Sequence, residues 1–285
     1  MKKIKIIFTL LIEKLGFLFP DKLYLQIIYR IQMGKKLNLN NPQTYNEKLQ
    51  WMKLYDRNPM YTIVVDKLKS KEWVAKRIGK EHIIPFVGVY DKWEDIDFNK
   101  LPNKFVIKCT HNCGVVVCND KATLDITQAR KKIMKSMNSS YYMKWREWPY
   151  KDVPRKILIE EYMVDESGTE LKDYKFFCFG GEPKLFFIGS DRNTDVKFDF
   201  FDTEFNHLPI RNGHDNADKV LLKPDKFDEM IEIARKLSQG FPQVRVDLYN
   251  VNGTIYFGEM TLFHFAGIVP FEPEEWDYKL GSWIK

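Results

Sequence analysis

The 285-residue sequence predicts an α+β protein built on antiparallel sheets, with a helical N-terminal region. Three observations carry this prediction. Helical periodicity dominates residues 1–95, short apolar runs typical of strands dominate residues 103–261, and hairpin-type turns separate several of these runs. A series of helices followed by a series of strands is typical of the α+β class.

The composition indicates a folded protein of two to three coupled lobes. Apolar residues make up 44% and aromatic residues 15% of the chain, which is ample for a core and argues against disorder. The net charge of +6 permits a polyanionic ligand but does not require one. Because the basic residues form no stripe, nucleic-acid binding is disfavoured. Four cysteines, Cys109, Cys113, Cys118 and Cys178, lack zinc-site spacing and are expected to be reduced cytosolic thiols.

The N-terminal segment has an ambiguous character. Lys2, Lys3 and Lys5 precede an apolar stretch, residues 6–19, which is too short and too charged to span a membrane and lacks a signal-peptide cleavage site. Helical spacing predicts an amphipathic helix with an apolar face of Ile4, Phe8, Leu11, Leu15 and Leu18. That face has two interpretations, packing on the protein body or contact with a membrane surface. We therefore expect a cytoplasmic protein, with contact to the inner face of the membrane as the alternative.

The remaining elements follow from periodicity and turn residues. Helices are predicted at residues 23–30, 46–54, 66–78, 126–137 and 227–237. Strands are predicted at residues 105–108, 115–118, 157–163, 173–179, 184–189, 197–201, 244–249 and 254–260. Gly180-Gly181 predicts a tight hairpin turn between two of these strands.

The last two strands carry the most informative polar residues. Alternation places Arg245 and Asp247 on one face of the first strand. Whether Glu259 of the second strand shares that face depends on the turn between them. A two-residue turn would pair residues 251 and 254 and separate the two carboxylates, whereas a three-residue loop would pair residues 251 and 255 and set Asp247 opposite Glu259. We predict the odd-length loop.

Two carboxylates that face each other repel unless a cation lies between them, and oxygen ligands of this kind favour Mg²⁺ completed by substrate phosphates. A solvated polar face neutralised by Arg245 is the alternative. A second constellation is Lys108, which precedes the loop 110–114 and could help to cradle phosphates. A third is the apolar strand ending in Glu160 and Glu161, which could equally be an edge strand made soluble by charge.

The order of these motifs resembles the ATP-grasp superfamily and, in particular, is similar to that of D-alanine:D-alanine ligases. The motifs are DKLKSK at residues 66–71, FVIK at 105–108, IEEYM at 159–163, RVD at 245–247 and EMT at 259–261. The chain resembles more closely the TupA-like branch, found in gene clusters for capsule, teichuronopeptide and other surface polysaccharides. That likeness rests on NNPQTYNEK at 40–48, WMKLYDR at 51–57, KCTH at 108–111, DYKFFCF at 173–179 and FGEMT at 257–261.

The resemblance implies an ATP-grasp fold in which two antiparallel-sheet lobes grip ATP. It also implies a role for each matching residue. Lys67 and Lys108 would contact the phosphates, with Thr110, His111 and Gly114 in the loop that closes over them. Glu160 and the backbone of Glu161 to Met163 would hold adenine, and Asp165, Glu166 or Glu170 would hold ribose, of which Glu166 is our choice. Asp247, Glu259 and Thr261 would bind Mg²⁺, while Lys175, Arg245 and His264 would serve catalysis.

The implied reaction is ATP-dependent ligation of a carboxylate, such as a uronic acid, to an amine, such as an amino acid, through an acyl phosphate. The expected domains are an N-terminal helical region at 1–60, a lobe with the phosphate loop at 61–163 and a lobe with the Mg²⁺ site at 164–285. Tyr141 to Tyr150 and His264 to Gly267 would surround the substrate. A polysaccharide glycosyltransferase and a non-catalytic nucleotide-binding protein are the alternatives.

Two departures from the superfamily pattern bear on activity. Thr261 stands where the superfamily usually has asparagine, and the loop 110–114 has one glycine where relatives often have more. Fewer glycines leave the loop less backbone freedom to close over ATP.

Overall fold

The computed structural model describes residues 2–168, 171–191 and 194–285. Among them the helices are α1 Lys2–Leu15, α2 Asp21–Met33, α3 Tyr45–Tyr55, α4 Met60–Val65, α5 Lys69–Ile78, α6 Ile126–Met137, α7 Tyr141–Trp145, α8 Phe227–Ser238 and α9 Glu275–Trp283. The strands are β1 Phe86–Tyr90, β2 Phe105–Cys109, β3 Val115–Cys118, β4 Ile157–Glu161, β5 Asp173–Phe179, β6 Glu182–Ser190, β7 Lys197–Asp202, β8 His207–Leu208, β9 Arg211–Asn212, β10 Gln243–Val251, β11 Thr254–Thr261 and β12 Phe271–Glu272.

Two antiparallel sheets organise the molecule. The smaller has four strands in the order β1-β4-β2-β3, and the larger has six in the order β11-β10-β5-β6-β7-β8. A further pair, β9 and β12, forms a short two-stranded ladder. The α+β prediction and most of its elements are confirmed, including the hairpin at Gly180 and Gly181, both of which adopt positive φ.

Each sheet buries one face against a helix. In the four-stranded sheet, alternate residues Phe105 and Ile107 face a core shared with Ile133 of α6. In the six-stranded sheet, a phenylalanine-rich face packs against α8, whose Phe227 contacts the rings of Phe176 and Phe186. The opposite face of the six-stranded sheet is also buried over much of its area, since Phe177 and Phe179 pack against Tyr45 of α3, and polar residues occupy the part of that face around Lys175 and Asp247.

The N-terminal helices attach to the larger sheet. Helix α3 begins with a capping box, in which the Thr44 hydroxyl accepts from the Glu47 amide and the Glu47 carboxylate accepts from the Thr44 amide. Its Tyr45 is fully buried and meets the rings of Phe177 and Phe179 edge-on. Helix α3 is therefore part of the main core rather than an appended element.

Helix α1 packs differently. Gln32 of α2 donates to the Thr9 hydroxyl at 2.7 Å, and Ile12 packs on the core of α2, whereas Ile7 and Leu11 of α1 and Phe17 in the turn after it are exposed. Within the part of the chain that the structure describes, helices are all too short or too polar to cross a bilayer.

Two predictions for residues 1–95 need correction. The region contains a strand, β1, which pairs with β4 and which helical periodicity did not reveal. The predicted helix at 66–78 begins three residues later, as α5 at Lys69, because the Asp66 carboxylate accepts from the amides of Leu68 and Lys69 and so holds residues 66–68 in a turn that precedes the helix. A separate short helix, α4, ends at Val65 just before that turn.

Candidate active site

A cavity of about 490 Å³ lies between the polar faces of the two sheets. Its lining combines lysines, carboxylates and apolar side chains: Lys67, Lys71, Ile84, Val106, Lys108, Cys113, Val115, Val117, Asn119, Glu160, Glu161, Tyr162, Met163, Leu171, Asp173, Lys175, Tyr249, Gly258 and Glu259. A volume of this size suits a small-molecule ligand. Most of the sequence motifs singled out above meet at this cavity.

The six-stranded sheet carries a row of three charged residues at the cavity, of which Lys175 and Glu259 line it and Asp247 is buried between them. Asp247 of β10 pairs directly with Lys175 of β5 on one side and with Glu259 of β11 on the other. Residues opposite each other in neighbouring strands share a face, so the three side chains lie side by side. In the adjacent row, Arg245 is opposite Thr261.

The register that produces this row has a different cause from the one predicted. The turn has two residues, Asn252 and Gly253, both with positive φ, and Val251 pairs with Thr254, so the odd-length loop was wrong. A bulge after Phe257 leaves Gly258 without a partner and shifts the register by one residue. Asp247 therefore still faces Glu259, as expected.

Arg245 organises this end of the cavity. Its guanidinium donates to both carboxylate oxygens of Asp247, each at 2.7 Å, and to the Thr261 hydroxyl at 2.9 Å. Lys175 donates to the same carboxylate. Asp247 is fully buried, so this bidentate arrangement compensates for the loss of water around its charge.

Glu259 is the more accessible carboxylate. Its side chain is 42% exposed, with Lys67 Nζ and Arg245 Nη2 each 3.6 Å from one of its oxygens. Enclosure in the cleft raises the pKa of Glu259, but the charges of Lys67, Lys175, Arg245 and Lys108 outweigh that effect and lower it to about 2. The carboxylate is thus held ionised and is only loosely paired.

The four-stranded sheet presents a second charged cluster. Glu160 of β4 is 1% exposed and lies between Lys71 Nζ at 2.7 Å and Lys108 Nζ at 2.6 Å. Burial raises the pKa of Glu160, but Lys108 and Lys71 lower it to about 2. The buried carboxylate holds two ammonium groups at the wall of the cavity.

Lys71 is a site residue that the sequence reasoning missed. It projects from the first turn of α5 into the cavity, and Lys67, two residues before the helix, also lines the cavity. Lys67 and Lys71 are four residues apart, the spacing of neighbours on a helix face, and this regularity could have indicated the pair. Four lysines, Lys67, Lys71, Lys108 and Lys175, therefore converge on the cavity from different elements.

The loop at residues 110–114 enters the cavity only in part. Cys113 lines the cavity, but Thr110 and His111 are buried elsewhere, and the Thr110 hydroxyl donates to the Pro154 carbonyl at 2.6 Å. Gly114 packs so closely that a Cβ there would lie 2.3 Å from the Ser136 hydroxyl oxygen. The Thr110 and His111 side chains are therefore packed inward against the core, and the closure of this loop over the phosphates, which the resemblance implies for the loop as a whole, stays a prediction.

His264 also has a different position from the one expected of a catalytic residue. It is 2% exposed and touches Arg245 through Nδ1, while Nε2 lies 2.7 Å from Asn212 Oδ1. Burial, with Arg245 and Lys175, lowers its pKa well below the ordinary value. His264 lies behind Arg245, away from the cavity, so it can position that guanidinium but does not itself face a substrate.

The structure describes two of the three residues considered for ribose binding, and neither lines the cavity described above. Asp165 is buried in its own turn, where it accepts from Ser167 and Lys172. Glu166 is largely exposed, pairs with Lys172 at 3.2 Å and lines a neighbouring cavity of about 750 Å³ rather than the one described above. Neither Asp247 nor Glu259 lines that larger cavity. Glu170 lies outside the described residues.

The predicted adenine segment lies at the apolar end of the cavity. Glu161 is the last residue of β4, and Tyr162 and Met163 continue after it along the wall of the cavity. The strand therefore ends two residues earlier than predicted. Val106 and Leu171 supply apolar surface nearby. A flat base fits such a surface, whereas the lysines suit phosphates.

The donor set at the carboxylate row suits Mg²⁺. Asp247 and Glu259 supply carboxylate oxygens on one face, and Thr261 lies in the adjacent row. In the described parts of the chain, no three acidic, histidine or cysteine residues form a metal cage on their own. The pair fits an ion that uses two protein carboxylates and completes its shell with phosphates and water.

Comparison with known proteins supplies an independent finding. The family model described as "TupA-like ATPgrasp" matches residues 47–285. No curated protein matches the chain.

The solved structures that the chain resembles include two ligases and a synthetase, each at low identity. D-alanine–D-alanine ligase from Bacillus anthracis, complexed with ATP, is 18% identical with a TM-score of 0.40, and the match covers 71% of this chain and 55% of that one. L-amino acid ligase from Bacillus licheniformis is 13% identical with a TM-score of 0.44, covering 78% and 50%. An ADP complex of N5-carboxyaminoimidazole ribonucleotide synthetase is 13% identical with a TM-score of 0.45, covering 84% and 56%.

The chain thus spans about half the length of these structures. The family match, by contrast, extends over most of the chain and includes every residue of the cavity lining. The protein therefore belongs to the TupA-like ATP-grasp family.

Proposed function

We propose that the protein is an ATP-dependent carboxylate–amine ligase that acts in the biosynthesis of a surface polysaccharide. One observation carries the proposal: four lysines and Glu259 line a single cavity, and the buried Asp247 lies beside Glu259 on the same face of the sheet. Charge neutralisation is the main requirement of phosphoryl transfer, and this arrangement supplies it. The link to polysaccharide biosynthesis rests on the family resemblance rather than on the geometry of the cavity.

Each residue type has a matching task. Lys67, Lys71, Lys108 and Lys175 would neutralise the polyphosphate, and Glu161 to Met163 would border adenine. Asp247 and Glu259 would hold Mg²⁺, which when bound supplies further charge neutralisation at the phosphates. Arg245 presents a planar guanidinium, a donor geometry suited to a phosphoryl or acyl-phosphate oxygen.

The chemistry needs a carboxylate and an amine. The carboxylate would take the γ-phosphoryl group to form an acyl phosphate and release ADP, and the amine would then displace phosphate to give an amide. No covalent nucleophile is needed. Cys109, Cys118 and Cys178 are buried, which is consistent with a structural role.

A phosphate-release screen tests the proposal. Mg·ATP is offered with uronic acids and amino acids in pairs, and mass spectrometry detects a new amide. We expect Asp247→Asn and Glu259→Gln to abolish ADP formation, because each removes a charge from the metal pair. Wild-type turnover in both variants would refute the assignment, and tight Mg·ATP binding without ADP from any pair would favour a non-catalytic nucleotide-binding protein.

We also infer that α1 rests on an anionic membrane surface. The exposed apolar residues of α1 and of the turn after it, from Leu11 at 49% to Phe17 at 68%, are accompanied by the exposed Lys14 and by Lys22 at the start of α2. The acidic residues of this segment turn inward, with Glu13 near Lys144 at 3.6 Å and Asp21 near Arg146 at 2.9 Å. An outward face that is apolar and basic complements anionic lipid.

A further inference from the structure

A chain of hydrogen-bonded side chains leads from the protein interior to the carboxylate row. Asn212 contacts His264, His264 contacts Arg245, and Arg245 donates to both carboxylate oxygens of Asp247. All four side chains are nearly excluded from solvent, with Asn212 at 1% exposure. Asn212 belongs to the β9–β12 ladder, outside the six-stranded sheet, so it approaches the site from a separate element.

The direction of hydrogen bonding is fixed at the Asn212 end of this chain. Asn212 Nδ2 donates to the backbone carbonyls of Val269 at 3.2 Å and Pro270 at 3.0 Å. Because a carbonyl only accepts, the amide NH₂ must face these two groups, and Oδ1 is the atom that faces His264. Oδ1 lies 2.7 Å from His264 Nε2 and can only accept, so Nε2 carries a proton.

The Arg245 end requires the same tautomer. A guanidinium donates and cannot accept, so His264 Nδ1, which Arg245 Nη1 contacts, must be unprotonated. Burial, with the charges of Arg245 and Lys175, holds the pKa of His264 well below its ordinary value, so the ring is neutral and carries a single proton. The neighbours on both sides of the ring therefore select the Nε2–H form.

The backbone that carries the imidazole is also held in place. Phe265 and Ala266, the next two residues, have positive φ values of 45° and 53°. Gln50 and Lys53, both buried in α3, donate to the Ala266 carbonyl at 2.9 and 2.7 Å. Strained backbone of this kind persists where the surrounding contacts determine it, and it is typical of functional sites.

We propose that Asn212 is a positioning residue of the active site, because it holds the His264 ring with Nδ1 toward Arg245 and thereby fixes the plane of the guanidinium. The inference rests on the proposed ligase function and deepens it. In that plane Nε and Nη2 of Arg245 each donate to one oxygen of Asp247 at 2.7 Å. A ring free to turn would deprive Nη1 of its acceptor, and Asp247 would be held less precisely beside Glu259.

The first measurement compares wild type with Asn212→Leu, which removes the acceptor and keeps a side chain of similar size. Proton–nitrogen NMR detects the protons on His264 Nε2 and Arg245 Nε, which are buried and hydrogen-bonded at 2.7 Å, and His264→Asn and Arg245→Lys identify their signals. We expect wild type to show both protons, with His264 Nδ1 unprotonated. In Asn212→Leu the His264 signal should be lost, and the Arg245 proton should exchange with water about tenfold faster.

The second measurement is steady-state ADP release with Mg·ATP and whichever acid of the phosphate-release screen is active. We expect Asn212→Leu to lower kcat about 10- to 100-fold, because the carboxylate row is displaced. The KM for ATP should change less than about threefold, since the lysines that would bind the polyphosphate are untouched. A loss of folded protein would not produce this division between kcat and KM together with the change in the Arg245 signal.

Asn216→Leu is the matched control. Asn216 also donates through Nδ2 to two backbone carbonyls, those of Phe198 at 2.7 Å and Ile210 at 3.0 Å, and neither bond involves His264. The variant therefore reports the effect of losing two amide–carbonyl bonds near the site. We expect both proton signals and kcat to match those of wild type.

A wild-type protein in which His264 Nδ1 carries the proton would overturn the inference, and this result needs no variant if Asn212→Leu does not fold. An unchanged kcat in folded Asn212→Leu, or an equal fall in Asn216→Leu, would also overturn it. Failure of the ligase proposal is distinguishable, because wild type would then form no ADP with any acid. The two proton signals would still decide whether Asn212 holds the ring and the guanidinium.

Discussion

Glu160 lies between two ammonium groups, Lys71 at 2.7 Å and Lys108 at 2.6 Å, and all three face the proposed phosphate site. Without this carboxylate the two lysines would repel each other in a poorly hydrated region. The buried charge therefore stabilises the lysine arrangement before any nucleotide binds. ATP would then add its own negative charge to a site that is already organised.

The first prediction concerns the stability of this cluster. We expect Glu160→Gln to lower the free energy of unfolding at pH 7 by about 3 kcal/mol, because it leaves two lysines without their buried counter-charge. The folded-state pKa of about 2 lies below the ordinary 4.5, so this stabilisation is complete above about pH 4.5 and is lost as the pH falls toward 2. Urea unfolding at pH 7 and pH 3 measures both effects.

The difference between wild type and Glu160→Gln should therefore shrink at pH 3. Glu182→Gln provides the control, because Glu182 is half exposed in its pair with Arg235, and we expect a change of about 0–1 kcal/mol. An equal difference at both pH values would show that Glu160 is not held ionised by the two lysines.

At the scale of the element, the β10–β11 hairpin decides where the carboxylates face. Its two-residue turn alone would set Glu259 on the opposite face from Asp247, and the bulge at Gly258 reverses that outcome. Gly258 sits in a confined position, since a Cβ there would lie 3.1 Å from the Asp247 carbonyl oxygen and 3.1 Å from the Tyr249 ring. The close approach explains why glycine suits the bulge.

A second prediction follows for Gly258→Ala. The added methyl group must push Asp247 or Tyr249 aside, so we expect a stability loss of about 1–3 kcal/mol. Displacement of the carboxylate row should also lower kcat/KM for Mg·ATP about 10- to 100-fold. Thermal unfolding and steady-state ADP release measure the two changes.

Gly189→Ala is the matched control, because Gly189 lies in β6 of the same sheet and a Cβ there would meet the Phe198 ring at an ordinary 3.6 Å. We expect it to retain wild-type turnover. Equal turnover in Gly258→Ala and Gly189→Ala would mean that the shape of the bulge does not matter to nucleotide use.

At the scale of the whole molecule, the exposed surface of α1 is set apart from the cavity. The helix is held to the body by polar contacts through Thr9 and Glu13 and by Ile12, which packs on the core of α2, whereas most of its other apolar residues face outward. This is the reverse of the packing expected of a helix that serves only to cover a core. A ligase that uses acceptors carried on a membrane would benefit from such an orientation.

Sedimentation with lipid vesicles tests whether that surface binds membranes. We expect the protein to sediment with vesicles of phosphatidylglycerol and phosphatidylcholine but weakly with phosphatidylcholine alone, and to be released by salt. Ile7→Gln combined with Leu11→Gln should abolish sedimentation, because it removes apolar side chains from the centre of the exposed face.

Val220→Gln combined with Leu222→Gln is the control, since these residues are 88% and 82% exposed in a different segment. Vesicle binding that persists in the α1 variant would contradict the inference. A wild-type dimer in light scattering that the α1 variant abolishes would instead assign this face to a second copy of the chain.

The sequence by itself determined the antiparallel strands, the Gly180-Gly181 hairpin and the types of charge available to the site. These features are local, because alternation, turn residues and motif order are set by neighbours along the chain. It also placed Arg245 and Asp247 on one face, since period-two alternation does not depend on distant contacts.

Only the tertiary structure decided which residues face the cavity. Lys71 joins the site because α5 packs on the core of the six-stranded sheet in a position from which Lys71 reaches Glu160 of the other sheet, 2.7 Å away. Thr110 and His111 turn into the core, and His264 lies behind Arg245. The facing of Asp247 and Glu259 depended on a one-residue bulge rather than on the turn. Such outcomes depend on contacts between residues far apart in the chain, which no local pattern in the sequence records.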